Sequence, residues 1–174
     1  MRSHKYNEGF SLIELMIVVA VIGIVSAVAI PNLVSSKRSA NEASALAGVR
    51  VILSAEATYQ ATTGAGLYGD LAALASNSLV DQSIAAATIA GPGTAKSGYL
   101  FAAENISGTG GPAFDAITQP VAHTSASLLF ATGSRSFFVN ESGVMYFNMT
   151  DTAPTCSATS DRTVTPGTGG GVLN

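Results

Sequence analysis

The string Gly9-Phe10-Ser11-Leu12-Ile13-Glu14 opens an apolar run that carries no charge other than Glu14 as far as Ile30. Phe10 to Ile30 is 21 residues, which as a helix would be about 32 Å long, enough to cross a hydrocarbon core of roughly 30 Å. A carboxylate on such a helix costs roughly 2.5–3.5 kcal/mol at the bilayer centre and less near its edge, so an ionisable group there marks a function by default. The sequence also offers a partner. A cut after Gly9 would leave a free amine on Phe10, one helical turn from Glu14. The same amine on a neighbouring chain could neutralise that carboxylate better still.

Two simpler readings compete. In the first, the segment is a secretory signal peptide, with Arg2 and Lys5 as its basic region and Ala27-Val28-Ala29 as its cleavage site. Against this, Glu14 would interrupt the apolar core, and a helix-compatible pattern runs on past the supposed cut. In the second, the segment is a plain membrane anchor and Glu14 is incidental. An anchor, however, has no need of Gly, then Phe, then Glu at this offset.

These residues resemble the N-terminus of type IV prepilins and of the pseudopilins of type II secretion. The resemblance rests on a short basic leader ending in Gly9, Phe10 after the cut, Glu14 at the fifth position beyond it, and Pro31 late in the helix. It is carried by GFSLIELMIVVAVIGIVSAVAIP and constrains little beyond roughly Gln60. It implies that a prepilin peptidase cuts between Gly9 and Phe10 and methylates the new terminus. It also implies that Glu14 and Pro31 act in assembly, and that the partners are copies of this chain or other pilins and an inner-membrane assembly machinery. Arg2 and Lys5 would hold the leader in the cytoplasm. Lys37 and Arg38 weaken that charge asymmetry, so the leader motif decides the orientation. The chain would be a single-pass inner-membrane protein before assembly, and part of a periplasmic or extracellular filament afterwards.

The fold implied is α+β, a long N-terminal helix packed on a small antiparallel sheet of about 3–4 strands. The expected divisions are a leader at 1–9, a membrane and filament-core segment at 10–30, an amphipathic helix at 31–62, a loop-and-sheet head at 63–150 and a flexible polar tail at 151–174. Pro31 should bend the helix or mark a weak point. Beyond it, Ala43, Leu46, Val49, Leu53 and Ala57 recur at three- and four-residue steps, with Glu42 and Arg50 on the wet flank. Thr63-Gly64-Ala65-Gly66 ends the helix. Short helical turns are expected within 67–89, and Gly91-Pro92-Gly93 reads as a turn. Strand patterns cover Gly98–Asn105, Ala113–Val121, Ser136–Asn140 and Val144–Asn148, the last two joined by Glu141-Ser142-Gly143 as a hairpin. Phe137, Val139, Met145 and Phe147 alternate and should line one face, beside Tyr99 and Phe101.

Chemistry is sparse. No phosphate loop, metal-spaced His/Cys cluster or nucleophile motif is present, so no cofactor, metal or enzymatic activity is called for. Asp70, Asp81, Asp115 and Asp151 are scattered and read as solvated carboxylates. The family resemblance leaves calcium binding by one of them open. Cys156 is the only cysteine, so the intrachain loop disulfide of many pilins cannot form. It is either inert or pairs between chains, since His4 lies in the leader and His123 has no evident companion near it. The Asn-x-Ser/Thr triplets at Asn105, Asn140 and Asn148 are weak glycosylation signals. After removal of the leader the chain carries 6 basic and 10 acidic residues, with none of the basic striping that phosphate backbones require. Direct nucleic-acid binding is therefore not expected.

The leading reading is a structural subunit of a type IV pilus-type filament. The alternatives are a pseudopilin of a type II secretion system, or a membrane-tethered adhesin or binding domain. The major secretion pseudopilin usually carries a Tyr-Pro segment after the helix and a Trp-Gly pair. Here Tyr68-Gly69-Asp70-Leu71 only faintly matches the first, and the chain has no Trp.

Overall fold

The computed structural model describes residues 9–89, 94–106, 112–124, 130–150, 152–153, 155–156, 162–167 and 169–173. It divides into two compact units, residues 1–36 and 37–174. Helix α1, Leu12–Ala61, begins in the first and ends in the second, and its helical backbone continues through Pro31. Proline removes one helical hydrogen bond there but does not end the helix.

The second unit is the head. After α1 come two short helices, α2 (Leu71–Ser76) and α3 (Gln82–Ala85), where the sequence suggested helical turns. Asp70 caps α2, its carboxylate accepting the Ala73 N–H at 2.7 Å. Strands β1 (Tyr99–Asn105), β2 (Phe114–Pro120), β3 (Ser136–Asn140) and β4 (Met145–Asn148) follow within a residue or two of the expected positions. They form an antiparallel meander. Gly143, with φ of 72°, sits in the β3–β4 turn where a left-handed backbone suits glycine. The turn Gly91-Pro92-Gly93 lies outside the described residues.

Three further strands were not expected. Beyond 150, β5 (Thr155–Cys156) pairs with β6 (Val164–Thr165), and β7 (Gly171–Val172) pairs with β4. The main sheet therefore has five strands in the order β1-β2-β3-β4-β7, with a separate two-stranded ribbon. These two-residue strands lie in Thr-, Pro- and Gly-rich sequence and carry no alternation long enough to announce them. Contacts from elsewhere in the head hold them instead. Arg162 donates to both Glu141 carboxylate oxygens at 2.8 and 2.9 Å and to the Phe114 carbonyl at 2.9 Å, and it also meets Asp115. Asn148 donates to the Thr152 carbonyl at 3.1 Å.

One face of the sheet meets α1. Tyr99, Phe101, Ala103, Phe114, Ala116, Phe137 and Val139 join Ala45, Val49, Ile52 and Ala55 in a single apolar cluster, with Met145 and Phe147 packed against it. This is the expected strand face. The helix face differs in phase: Ala43 and Ala57 are exposed, and the buried positions are 42, 45, 48, 49, 52, 55 and 56. Gly48 explains the shift. A Cβ there would lie 2.6 Å from the Phe101 ring, so this glycine is the point of closest approach between helix and sheet. β3 is buried at all five positions, including Phe138 on the opposite face.

Candidate functional site

The first unit carries the residues singled out from the sequence. Gly9 and Phe10 precede the helix, and the Ser11 carbonyl accepts the Leu15 N–H at 3.3 Å in its first turn. Glu14 lies in that same turn, where the N–H groups at the positive end of the helix dipole favour a carboxylate. Ser11 and Glu14 also stand in the Ser-x-x-Glu order typical of a helix start. Every large apolar side chain from Phe10 to Leu33 is exposed, Phe10 at 80%. An 18-residue window of this helix has a mean hydropathy of 2.8, none of it buried among the described residues. This apolar surface needs lipid or protein from outside to cover it.

A Cβ built at Gly9 would meet nothing within 4 Å. Packing against the described residues therefore does not demand glycine there. Arg2, Lys5 and His4 lie outside the described residues, as does Asp151.

The polar groups of the head turn out to be structural. Glu42, expected on the wet flank, is only 6% exposed. It accepts from the Ser134 N–H at 2.8 Å, from the Ser134 hydroxyl, and from Arg135 Nε at 2.9 Å. Burial alone would raise its pKa, but the Ser134 bonds and the Arg135 guanidinium outweigh it, and the net shift is downward. The Tyr99 hydroxyl donates to the Arg135 carbonyl at 2.8 Å, and burial pushes its pKa up. Glu56 is fully buried. One carboxylate oxygen accepts the Gly69 N–H at 2.9 Å and the other has no partner. Burial foremost, with the nearby Asp70 charge adding to it against the Gly69 bond, raises its pKa to about 7.

Of the scattered aspartates, Asp70 is a helix cap, Asp81 faces Lys96 at 3.5 Å, and Asp115 is shared with Arg162. No group of three His, Cys, Asp or Glu suited to a metal occurs among the described residues. A ring nitrogen of His123 lies 2.8 Å from the Ser134 carbonyl, and Cys156 lies in β5. Asn140 and Asn148 are buried, and the Asn105 amide donates to the Tyr68 carbonyl at 2.7 Å. The structure thus gathers Glu42, Ser134 and Arg135 at one point and Asp115, Glu141 and Arg162 at another. Sequence reasoning missed both clusters. The one available signal was that Glu42 and Glu56 lie in the same helical phase as Ala45, Val49 and Ile52.

Comparison with known proteins bears on the N-terminal segment. The family described as "Prokaryotic N-terminal methylation motif" matches residues 4–30. Over 58 residues the chain is 40% identical to the type IV major pilin protein PilA of Myxococcus xanthus, covering 33% of this chain and 26% of that one. Over 35 residues it is 54% identical to the type IV wide pilus major component PilA4 of Thermus thermophilus, covering 20% of this chain and 27% of that one. The chain thus spans about a quarter of the length of either relative it matches. No solved structure matches it.

Proposed function

We propose that this chain is a structural subunit of a type IV pilus-type filament, assembled through its N-terminal helix after a prepilin peptidase cuts between Gly9 and Phe10. The observation that carries this reading is the methylation motif over residues 4–30, laid on the start of a helix whose large apolar side chains are exposed as far as Leu33. The named relatives are pilus proteins, which favours a pilus over a secretion pseudopilus. No catalytic constellation in the described head favours an enzyme.

The mechanism follows from the physics of that helix. While the chain is in the inner membrane, lipid covers Leu12, Leu15, Val18, Val19, Ile22 and Val25, and the leader with Arg2 and Lys5 stays in the cytoplasm. Leaving the membrane would expose these side chains to water at about 25 cal/mol per Å². Bundling them with the same helix from other copies avoids that cost without a covalent link. Glu14 then decides register. In a medium where an unpaired charge is expensive, its carboxylate meets the new amine of Phe10 on an adjacent copy. The head at 63–150, with the residues beyond it, remains outside to form the filament surface.

Mass spectrometry of the mature chain tests the first step. A methylated terminus at Phe10 is expected, and Gly9→Val should leave an uncut precursor in the inner membrane. A mature chain starting near Ile30 would establish a signal peptide instead.

A further inference from the structure

An open groove of about 560 Å³ runs along the head beside α1. Its lining includes Leu46, Arg50 and Leu53 from the helix, Val144 and Met145 from the β3–β4 hairpin, and Val172 from β7. Arg50 is exposed and has no ion-pair partner among the described residues. β7 is the last strand of the sheet, so its outer edge has no strand partner among them either. Val144 and Val172 remain 37% and 48% exposed. An apolar lining with one unpaired cation suits an occupant that presents an apolar side chain together with a carboxylate.

The head's own carboxylates narrow the choice. Glu42 is held by Arg135, Asp81 faces Lys96, and Asp115 and Glu141 share Arg162. Glu56 is buried. Among the described carboxylates of the head, Asp70 and Glu104 are left exposed without an ion pair. Glu104 lies at the polar end of β1 beside Asn105, whereas Asp70 follows the half-exposed Leu67 by three residues. The Leu67–Asp70 segment is also already held in place. The Leu67 N–H donates to the Gly64 carbonyl at 2.9 Å, Gly69 is tied to Glu56, and Asp70 is anchored as the cap of α2. A segment organised in advance loses little entropy on docking.

We infer that the Leu67–Asp70 segment of one copy docks in this groove of a second copy, with Leu67 against Val144 and Val172 and the Asp70 carboxylate on Arg50. This rests on the filament reading above and names the contact between heads. Segment and groove are different surfaces of the same chain, so the contact is heterologous and can extend without closing. From Lys37 onward the chain has six basic and nine acidic side chains. Unspecific approach of two heads is therefore repulsive, and a local pair of opposite charges sets the register.

The test uses filaments of the full chain, sheared and collected by sedimentation. Arg50→Gln and Asp70→Asn, the latter keeping an acceptor for the α2 cap, should each lower the sedimented filament several-fold. The double variant should lose no more than either single one, because both remove the same pair. In a Cys156→Ser background, filaments of Leu67→Cys with Val172→Cys should give a disulfide ladder of dimers and higher species on oxidation. Yields at the unsubstituted level, additive losses in the double variant, or the absence of a ladder would each overturn the contact. Failure of the unsubstituted chain to polymerise would overturn the filament reading and this contact with it. Filaments that still depend on Glu14 but are indifferent to Arg50 and Asp70 would overturn the contact alone.

Discussion

Glu56 should make the head less stable as pH rises, and Glu56→Gln should remove that loss. Its side chain is fully buried with one oxygen unpartnered, and its pKa is raised from the ordinary 4.5 to about 7. In the unfolded chain the carboxyl ionises near 4.5; in the folded head it keeps its proton until about 7. Below pH 4.5 both states are protonated and the residue costs nothing through ionisation. Between 4.5 and 7 the unfolded state gains charge first, so stability falls. Above 7 the full penalty stands, about 3 kcal/mol at 1.36 kcal/mol per pH unit of difference. Glutamine keeps a carbonyl for the Gly69 N–H and cannot ionise. The substitution should therefore be near neutral at pH 4.5 and raise Tm by about 6–12 °C at pH 8, at roughly 2–4 °C per kcal/mol for a domain of this size. Thermal melts of the head followed by circular dichroism from pH 4.5 to 8.5 would measure this. The difference between the two proteins isolates Glu56 from carboxylates such as Glu42 and Glu141, whose lowered pKa values act in the opposite direction. A difference that stays flat with pH, or a glutamine variant less stable at pH 8, would refute the reasoning.

Glu14→Ala should insert and be cleaved normally yet abolish or greatly shorten filaments, while Glu14→Asp should rescue only in part because its reach is shorter; electron microscopy with immunoblotting of the processed chain reads both. A fragment starting near Ser35 should be a soluble, folded monomer by analytical ultracentrifugation, since the surface proposed to drive assembly lies before it. Arg162→Ala leaves Asp115 and Glu141 facing each other without their shared cation, and should cost about 3 kcal/mol near neutral pH. Its signature is faster amide exchange across β5 and β6, with α1 less affected.

The readings that held were local. β3 and β4 were placed closely because Phe137, Val139, Met145 and Phe147 alternate across a three-residue connection ending in glycine, and a hairpin needs no distant information. The N-terminal features were legible for the same reason. The methylation motif is one continuous stretch, residues 4–30, and matching it requires no contact with the head. What escaped was decided across long separations. Ala43 and Ala45 are equivalent in hydropathy, and only the approach of the Phe101 ring to Gly48 determines which of them turns inward. Glu42 belongs in the buried phase because Ser134 and Arg135, more than ninety positions away, bring a hydroxyl, an N–H and a guanidinium to meet it. A charge counts as wet in any sequence pattern until its partner is known. β7 poses the same problem from the other side: two residues at the end of a glycine-rich stretch carry no strand signal, and pairing with β4 makes them one. If that account is right, the β5–β6 ribbon, whose second strand starts two residues after Arg162, should be the first lost when that anchor is removed, while the β1–β4 meander, whose register follows from its own alternation, stays intact.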